Sequence, residues 1–195
     1  DVSHRQLPLK PSALEQADQL FTRDQFAEAL AQYSAEASEN SDRAVRQEAR
    51  YKRAISLLRL NREDEAIEEL STLFSEDGEP WPARAGARLW IAQAGRQQLN
   101  EADLILQQLL VRASGADIAR ALADGDQNRI FNAYRDHLRV SHDVGDPNEN
   151  LNRARMLHRI CDLARTAAPH RAPELIWHTV RGYEMAGDLN AAQDL

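Results

Sequence analysis

The amino-acid sequence predicts an all-α fold of antiparallel helix pairs stacked into a superhelix, and three observations favour it. The 195 residues include only 8 Gly and 7 Pro, while the helix-favouring residues Ala, Leu, Arg, Gln and Glu dominate. Apolar residues recur every three or four positions along most of the chain. A Glu-Ala motif repeats with its alanines at Ala29, Ala66 and Ala102, and these spacings of 37 and 36 residues indicate repeated helical hairpins.

Each of the first three repeats is predicted to contain two helices. The first helices carry apolar residues on one face: Leu14, Ala17 and Leu20; Tyr51, Ala54, Ile55 and Leu58; Leu89 and Ala92. In each second helix the repeated alanine lies one turn before a large apolar residue, and the pairs are Ala29 with Tyr33, Ala66 with Leu70, and Ala102 with Leu106. Because a small residue lets two helices approach closely, each pair of helices should form a hairpin.

The second half of the chain is less regular. From Pro173 the sequence predicts another first helix, a turn at Gly187-Asp188 and the start of a second helix that contains Ala192. Before it, helical spacing predicts helices over about 116–123, 127–142 and 149–168, with a loop over 141–150. Two arrangements are open for residues 113–170, which either continue the superhelix or fold back across its groove.

These hairpins resemble the tetratricopeptide repeat (TPR) family, in which small residues lie where two helices meet and a tight turn precedes the second helix. The resemblance covers residues 12–112 and implies a right-handed solenoid. We expect four regions: an N-terminal extension over 1–11, three TPR-like helix pairs over 12–112, an irregular helical segment over 113–170, and the start of a further repeat over 171–195. Arg50 and Arg53 replace apolar residues of the family pattern and Trp90 replaces a small one, so the second and third pairs should pack atypically.

A second resemblance is to the TPR-like helical regions attached to some bacterial serine/threonine protein kinases. It is carried by Trp81-Pro82, Leu89-Trp90 and the Ile130-x-x-x-Tyr134 segment. The chain contains no glycine-rich phosphate loop, no His-Arg-Asp and no Asp-Phe-Gly, so a kinase domain would lie outside it. The sequence starts without Met and stops inside a predicted helix, and we therefore expect a piece of a larger, bacterial protein.

The TPR resemblance implies that the first helices line a concave groove that binds a peptide or a partner helix. Carried over position by position, the candidate groove residues are Tyr51, Lys52, Ile55, Leu58, Arg84, Arg88 and Ile91, with Leu14, Asp18, Phe21 and Glu48 beside them. In family members that bind carboxylate-ended chaperone tails, basic and amide side chains converge on the ligand. Lys52, Arg84 and Arg88 match that pattern, whereas Leu14 and Asp18 do not, and Asp18 would repel the ligand.

Each candidate also has a purely structural interpretation. Arg84 and Arg88 could lay their stems along apolar neighbours or pair with glutamates, and the apolar groove residues could belong to the core. Trp81 lies between two prolines, which predicts a loop position, either as a staple for the following helix or as a ligand contact. Trp90 and Trp177 are predicted to pack inside helices.

Composition and charge argue against several classes of partner. A net charge of -7 without a basic stripe argues against nucleic acid, and the absence of an apolar run of about 20 residues argues against membrane insertion of this chain. Cys161 is the only cysteine, so no disulfide can form within the chain. The sequence leaves the oligomeric state and the compartment open, with the cytoplasm slightly favoured.

No catalytic, metal or cofactor motif is visible. His158 and Cys161 could share a helix face, but two ligands do not make a metal site, and the Asp124-x-Asp126-x-Asn128 resemblance to a calcium loop fails because Arg129 replaces the required glycine. Paired carboxylates such as Glu68-Glu69 are expected to be solvated. We therefore expect a non-catalytic protein-binding module without cofactor. The alternative is a structural spacer or dimerisation segment with apolar surface near Leu189 and Leu195, in a protein such as a signalling kinase.

Overall fold

The computed structural model describes residues 11–78, 80–112, 147–167 and 169–195. Within these ranges the chain is helical and contains no β-strand, which confirms the all-α prediction for them. The helices are α1 (Ala13–Thr22), α2 (Phe26–Glu39), α3 (Arg43–Arg59), α4 (Glu63–Phe74), α5 (Trp81–Gly95), α6 (Leu99–Arg112), α7 (Pro147–Ala167), α8 (Ala172–Ala186) and α9 (Leu189–Gln193). A 3₁₀ turn at Pro169–Arg171 separates α7 from α8. No described helix is both long and apolar enough to cross a bilayer.

The chain divides into two compact units. Unit 1 comprises Asp1–Leu73 and unit 2 comprises Phe74–Leu195. In unit 1, α2 packs against both α1 and α3. In unit 2, α5 packs against α6, and α8 packs against α7 and α9.

The same turn joins the two helices of every described hairpin. One residue takes a left-handed backbone conformation, with φ of 60° at Asp24, 58° at Asn61, 63° at Gln97 and 79° at Gly187. The next backbone N–H reaches five residues back, as in the bonds of 3.0 Å from Gln25 to the Leu20 carbonyl and 2.9 Å from Arg62 to the Leu57 carbonyl. This arrangement is a Schellman-type C-cap, and it satisfies carbonyls that a helix end would otherwise leave without donors.

The repeated alanines lie where the sequence predicts. Ala29, Ala66 and Ala102 are fully buried, and the large apolar residues one turn later, Tyr33, Leu70 and Leu106, are at most 1% exposed. In unit 1, Ala17, Ala29 and Tyr33 form a core cluster against which Leu14, Leu20 and Phe21 pack. The prediction that each repeated alanine and the large apolar residue one turn later pack together at a helix contact is confirmed.

The helix starts differ from prediction at two prolines. Trp81 is the first residue of α5 instead of a loop residue, because Pro82 occupies the first helical turn, where a missing N–H costs nothing. For the same reason α7 begins at Pro147, inside the segment 141–150 that was predicted to be a loop. α7 otherwise confirms the helix predicted over about 149–168, whereas the helices predicted over 116–123 and 127–142 lie outside the described residues.

The hairpin predicted from Pro173 onward is present as α8 and α9, joined at Gly187. Asp188 caps α9 by accepting a hydrogen bond of 3.2 Å from the Ala191 N–H. Of the two tryptophans expected to pack inside helices, Trp90 is fully buried, as predicted. The prediction is wrong for Trp177, which is 60% exposed on α8.

Candidate binding surface

Along α3, the candidate groove residues form a stripe beside the core face. Ala54 and Leu57 face the core and are at most 6% exposed. Tyr51, Ile55 and Leu58 follow one another at spacings of four and three residues and are half-buried. The stripe is therefore neither core nor free surface, and it presents apolar area along one side of the helix.

Lys52 lies on the same stripe, but its charge is already balanced inside unit 1. Its Nζ is 2.7 Å from Oδ2 of Asp18 and 2.7 Å from Oε1 of Glu48. Tyr33 donates a hydrogen bond of 2.6 Å to the other oxygen of Asp18. Asp18 therefore connects the buried Tyr33 of α2 to Lys52 of α3. The resemblance gives Lys52 the role of a carboxylate receptor, and the structure surrounds it with two carboxylates.

Protonation of this cluster is stable at neutral pH. Burial lowers the pKa of Lys52, but hydrogen bonds to Asp18 and Glu48 outweigh burial and leave that pKa above its ordinary value. Burial, followed by the hydrogen bond to Asp18, raises the pKa of Tyr33 far above its ordinary value. Lys52 therefore stays charged and Tyr33 stays neutral.

In unit 2, α5 carries the remaining three candidates. The guanidinium carbon of Arg84 lies 4.6 Å from the centre of the Trp81 ring, which is a cation–π contact. The Nε atom of Arg84 is buried and has no hydrogen-bond partner among the described residues. Arg88, one turn later, is half-buried, and Ile91 is only 7% exposed, so its side chain would form the floor of a groove and not its wall.

The seven candidates thus fall into two sets. Tyr51, Lys52, Ile55 and Leu58 belong to unit 1, and Arg84, Arg88 and Ile91 belong to unit 2. Each set lies along one side of its own helix, in agreement with the spacing in the sequence. A single groove lined by both sets stays a prediction.

An ion-pair cluster that the sequence did not predict connects α3 and α4. Arg50 donates from Nε to Oε1 of Glu69 at 2.6 Å, and Arg53 donates to Oε2 of the same carboxylate. The Glu69 side chain is only 12% exposed, so the prediction that it is solvated is wrong. The available signal was the pair of arginines at apolar positions of the family pattern, because charged residues on one helix of a hairpin require a counter-charge on the other.

The histidine and cysteine considered as metal ligands instead link α7 to α8. Nδ1 of His158 lies 3.1 Å from the Tyr183 hydroxyl, and Sγ of Cys161 lies 3.1 Å from Oγ1 of Thr179. Burial raises the pKa of the Cys161 thiol, which makes it a poor nucleophile. In the part of the chain that the structure describes, no group of three or more His, Cys, Asp or Glu side chains could hold a metal ion.

No family model matches the sequence, and no curated protein matches it. Among solved structures, the chain is similar to a crystal structure from Podosopora anserina, of a protein described as a kinesin light chain with nearly identical TPR-like repeats. The two chains are 16% identical, the match covers 93% of this chain and 88% of that chain, and the TM-score is 0.49. By their own geometry, the recurring turn, the buried alanines and the paired helices of the described residues form hairpins of TPR-like architecture.

Proposed function

We propose that this chain is a non-catalytic protein-interaction module that binds a peptide or a partner helix along the faces of its first helices. The half-buried stripe on α3 supports the proposal, because an apolar stripe beside a polar rim is suited to the side chains of an extended peptide or an amphipathic helix. The arginines of α5 supply the polar contact. The proposal requires no metal or cofactor.

The observation that carries the proposal is the half-buried guanidinium of Arg84, which is held on the Trp81 ring. Stacking on Trp81 restricts the guanidinium plane, and a buried N–H without an acceptor costs free energy. A ligand carboxylate would accept from the guanidinium N–H groups that the half-buried side chain leaves accessible, and such charge-assisted bonds contribute about 1.5 to 3 kcal/mol each when sheltered from water. Arg88 lies one turn away on the same side of α5 and would share that carboxylate.

For this ligand, the carboxylate-binding role is assigned to Arg84 and Arg88 of α5 and not to Lys52 of α3. Lys52 is already bound to Asp18 and Glu48, so a ligand carboxylate beside it would face two negative charges. Part of the stripe on α3 would instead contact apolar ligand side chains. A ligand with an acidic group would fit α5, and a ligand with a run of apolar residues would fit the stripe on α3.

The test is a pull-down from a native lysate with the wild-type chain beside the Arg84→Glu, Arg88→Glu double variant. The matched control is Arg155→Glu with Arg159→Glu, which reverses two exposed charges one turn apart on α7. We expect wild type and control to retain the same protein and the α5 variant to lose it, with equal helicity by circular dichroism. Equal retention by all three baits would remove the assignment of the site to α5.

A second candidate function is a spacer or dimerisation segment of a larger protein such as a signalling kinase. The exposed apolar residues Trp177 and Leu189, each 60% exposed in unit 2, favour it. Light scattering over a concentration series should then show a dimer that the Trp177→Gln, Leu189→Gln variant dissociates. A concentration-independent monomer mass for the wild type would count against this candidate.

A further inference from the structure

A groove in unit 1, separate from the proposed binding surface, lies between α2 and α4 with α3 as its base. It has a volume of about 430 Å³, within the range of ordinary ligand pockets. Two leucines, two hydroxyl residues and six charged residues line it, and all of them belong to unit 1. None of the seven candidate groove residues lines it, so its function is independent of the proposed one.

At the base of the groove, the guanidinium of Arg53 is bound to only one oxygen of a carboxylate. Glu69 divides its two carboxylate oxygens between Arg50 and Arg53, so Arg53 receives a single oxygen. At the rim, by contrast, Arg62 donates from both Nε and Nη2 to the two oxygens of Glu65, at 2.6 Å each. A guanidinium has five N–H donors, and Arg53 therefore keeps donors for a further acceptor. Its side chain is 28% exposed, which leaves it accessible from the groove.

The hydroxyl groups of the groove cannot replace this donor. Ser34 donates its proton to the Leu30 carbonyl at 2.8 Å, and Thr72 donates its proton to the Glu68 carbonyl at 2.9 Å. Both hydroxyls are thus used within their own helices. A hydrogen-bond acceptor that enters the groove will therefore be held by guanidinium.

Apolar surface lies next to that donor. Leu57 of α3 is only 6% exposed, and Leu30 of α2 is half-buried. Both line the groove with Arg53. A ligand that places a carboxylate on Arg53 would therefore lay an aliphatic group against the two leucines, and a free inorganic anion would gain nothing from them.

The acidic residues of the rim do not prevent entry of an anion. Arg62 donates two hydrogen bonds to Glu65 and lowers the pKa of that carboxyl, so the charge of Glu65 is paired at the rim. Glu68 is exposed, and solvent and salt screen its charge. Positive charge is in excess at the base of the groove, where Arg50 and Arg53 share the single carboxylate of Glu69.

We infer that this groove binds an acidic peptide segment, with a glutamate carboxylate on Arg53 and a neighbouring aliphatic side chain on Leu30 and Leu57. Glu69 acts as an internal competitor, because it occupies the guanidinium groups that the ligand needs. Removing the cation and removing the competitor should therefore change the affinity in opposite directions. A mainly structural cluster would give no such opposition.

The test uses acetyl-Leu-Glu-Leu-amide as the probe, titrated into the full chain and followed by NMR amide shifts. We expect shifts clustered on α2, α3 and α4, and binding at least roughly tenfold weaker for acetyl-Leu-Gln-Leu-amide, the uncharged analogue. Arg53→Gln should weaken binding of the acidic probe by roughly tenfold or more, whereas Glu69→Gln should tighten it several-fold. Arg59→Gln is the control, because it removes an exposed cation from the end of α3 outside the groove.

Thermal melts establish that each variant is folded at the temperature of the titration. If Arg53→Gln does not fold, the Glu69→Gln variant tests the proposal by itself through the sign of its effect. Equal binding of the two probes, unchanged affinity in Arg53→Gln, or weaker binding in Glu69→Gln would each overturn the inference. Propionate that binds as tightly as the peptide probe would overturn the assignment to a peptide.

Discussion

Gly86 lies in the interior of α5, where glycine normally weakens a helix and alanine normally strengthens it. Here the opposite is expected, because a Cβ at this position would lie at or within 3.0 Å of three carbons of the Phe74 ring. Gly86→Ala should therefore destabilise the protein by about 1 to 3 kcal/mol, the usual cost of overpacking. Chemical denaturation of the variant measures the change.

The control for Gly86→Ala removes the ring that causes the clash. Phe74→Leu leaves room beside residue 86, so the double variant should be more stable than the sum of the two single changes predicts. Additive effects in this double-mutant cycle would mean that Phe74 moves aside without cost and that the close approach has no energetic role.

Alkaline pH provides the second test at the residue scale. The pKa values of Tyr33 and Lys52 are both raised in the folded state, so stability that is present below their unfolded values is lost as the pH rises through and above about 10. We expect the melting temperature to fall between about pH 9 and pH 11. Tyr33→Phe should lose about 1 kcal/mol at neutral pH, with its hydrogen bond to Asp18, and should be less sensitive to alkali.

Two measurements distinguish this cluster from general alkaline unfolding. The melting temperatures of Tyr33→Phe and of wild type should converge as the pH rises above about 10. Above that pH the Tyr33 phenol ionises in the unfolded wild type but not in the folded state, so the wild type loses stability that the variant does not have. Tyr183 serves as the comparison, since burial also raises its pKa and Tyr183→Phe tests the same effect in unit 2. Parallel curves for wild type and Tyr33→Phe would contradict the assignment.

At the scale of secondary-structure elements, the turn between paired helices is the most regular feature of the described chain. Its left-handed residue is glycine only in the last hairpin, at Gly187, and is Asp24, Asn61 or Gln97 in the others. Asn and Asp tolerate this conformation better than other side chains because they can bond to the local backbone. Gln97 has the least favourable side chain of the four for its backbone.

Gln97→Gly should therefore stabilise the protein by up to about 1 kcal/mol, because glycine takes the left-handed conformation without steric cost. The matched control is Gln107→Gly, in the exposed interior of α6, which should destabilise by about 1 kcal/mol. Thermal unfolding of the two variants compares the same chemical change in opposite backbone environments. Destabilisation by both changes would show that position 97 is not strained.

The repeat period, and the large apolar residue one turn after each repeated alanine, predicted these helices, because both patterns follow from which residues are buried. The sequence could not predict the ion pairs. Arg50 and Arg53 break the apolar pattern, and only the packing of α3 on α4 brings them to Glu69. The start of α5 at Trp81 was missed for a local reason, because a proline both ends a preceding segment and suits the first turn of a helix.

For the candidate site, the sequence placed each set of residues on one side of its own helix, because helical spacing determines that. The sequence could not predict which of the candidate charges are paired with a carboxylate. The cation at Lys52 is balanced by Asp18, a residue 34 positions away that the spacing of one helix cannot reveal. The stacking of Arg84 on Trp81 likewise depends on where α5 begins.

At the scale of the whole molecule, each unit has hydrogen bonds of its own that connect its helices. Asp18, Tyr33 and Lys52 connect three helices of unit 1, whereas Arg112 of α6 donates to the carbonyls of Phe74 and Glu76 within unit 2. In a repeat array, stability is approximately a sum of terms for each repeat and its immediate neighbours. A local change should therefore remain local.

Hydrogen exchange followed by mass spectrometry tests this expectation with the Gly86→Ala and Tyr33→Phe variants. Gly86→Ala should accelerate exchange of α5 and α6 amides, by about tenfold for each 1.4 kcal/mol lost, and should leave α1 and α2 at the wild-type rate. Tyr33→Phe should produce the reciprocal pattern, with faster exchange in α1, α2 and α3 and the wild-type rate in α5 and α6. If either variant accelerates exchange equally in every helix, the two units unfold as one cooperative body, and a ligand that binds one of them would stabilise both.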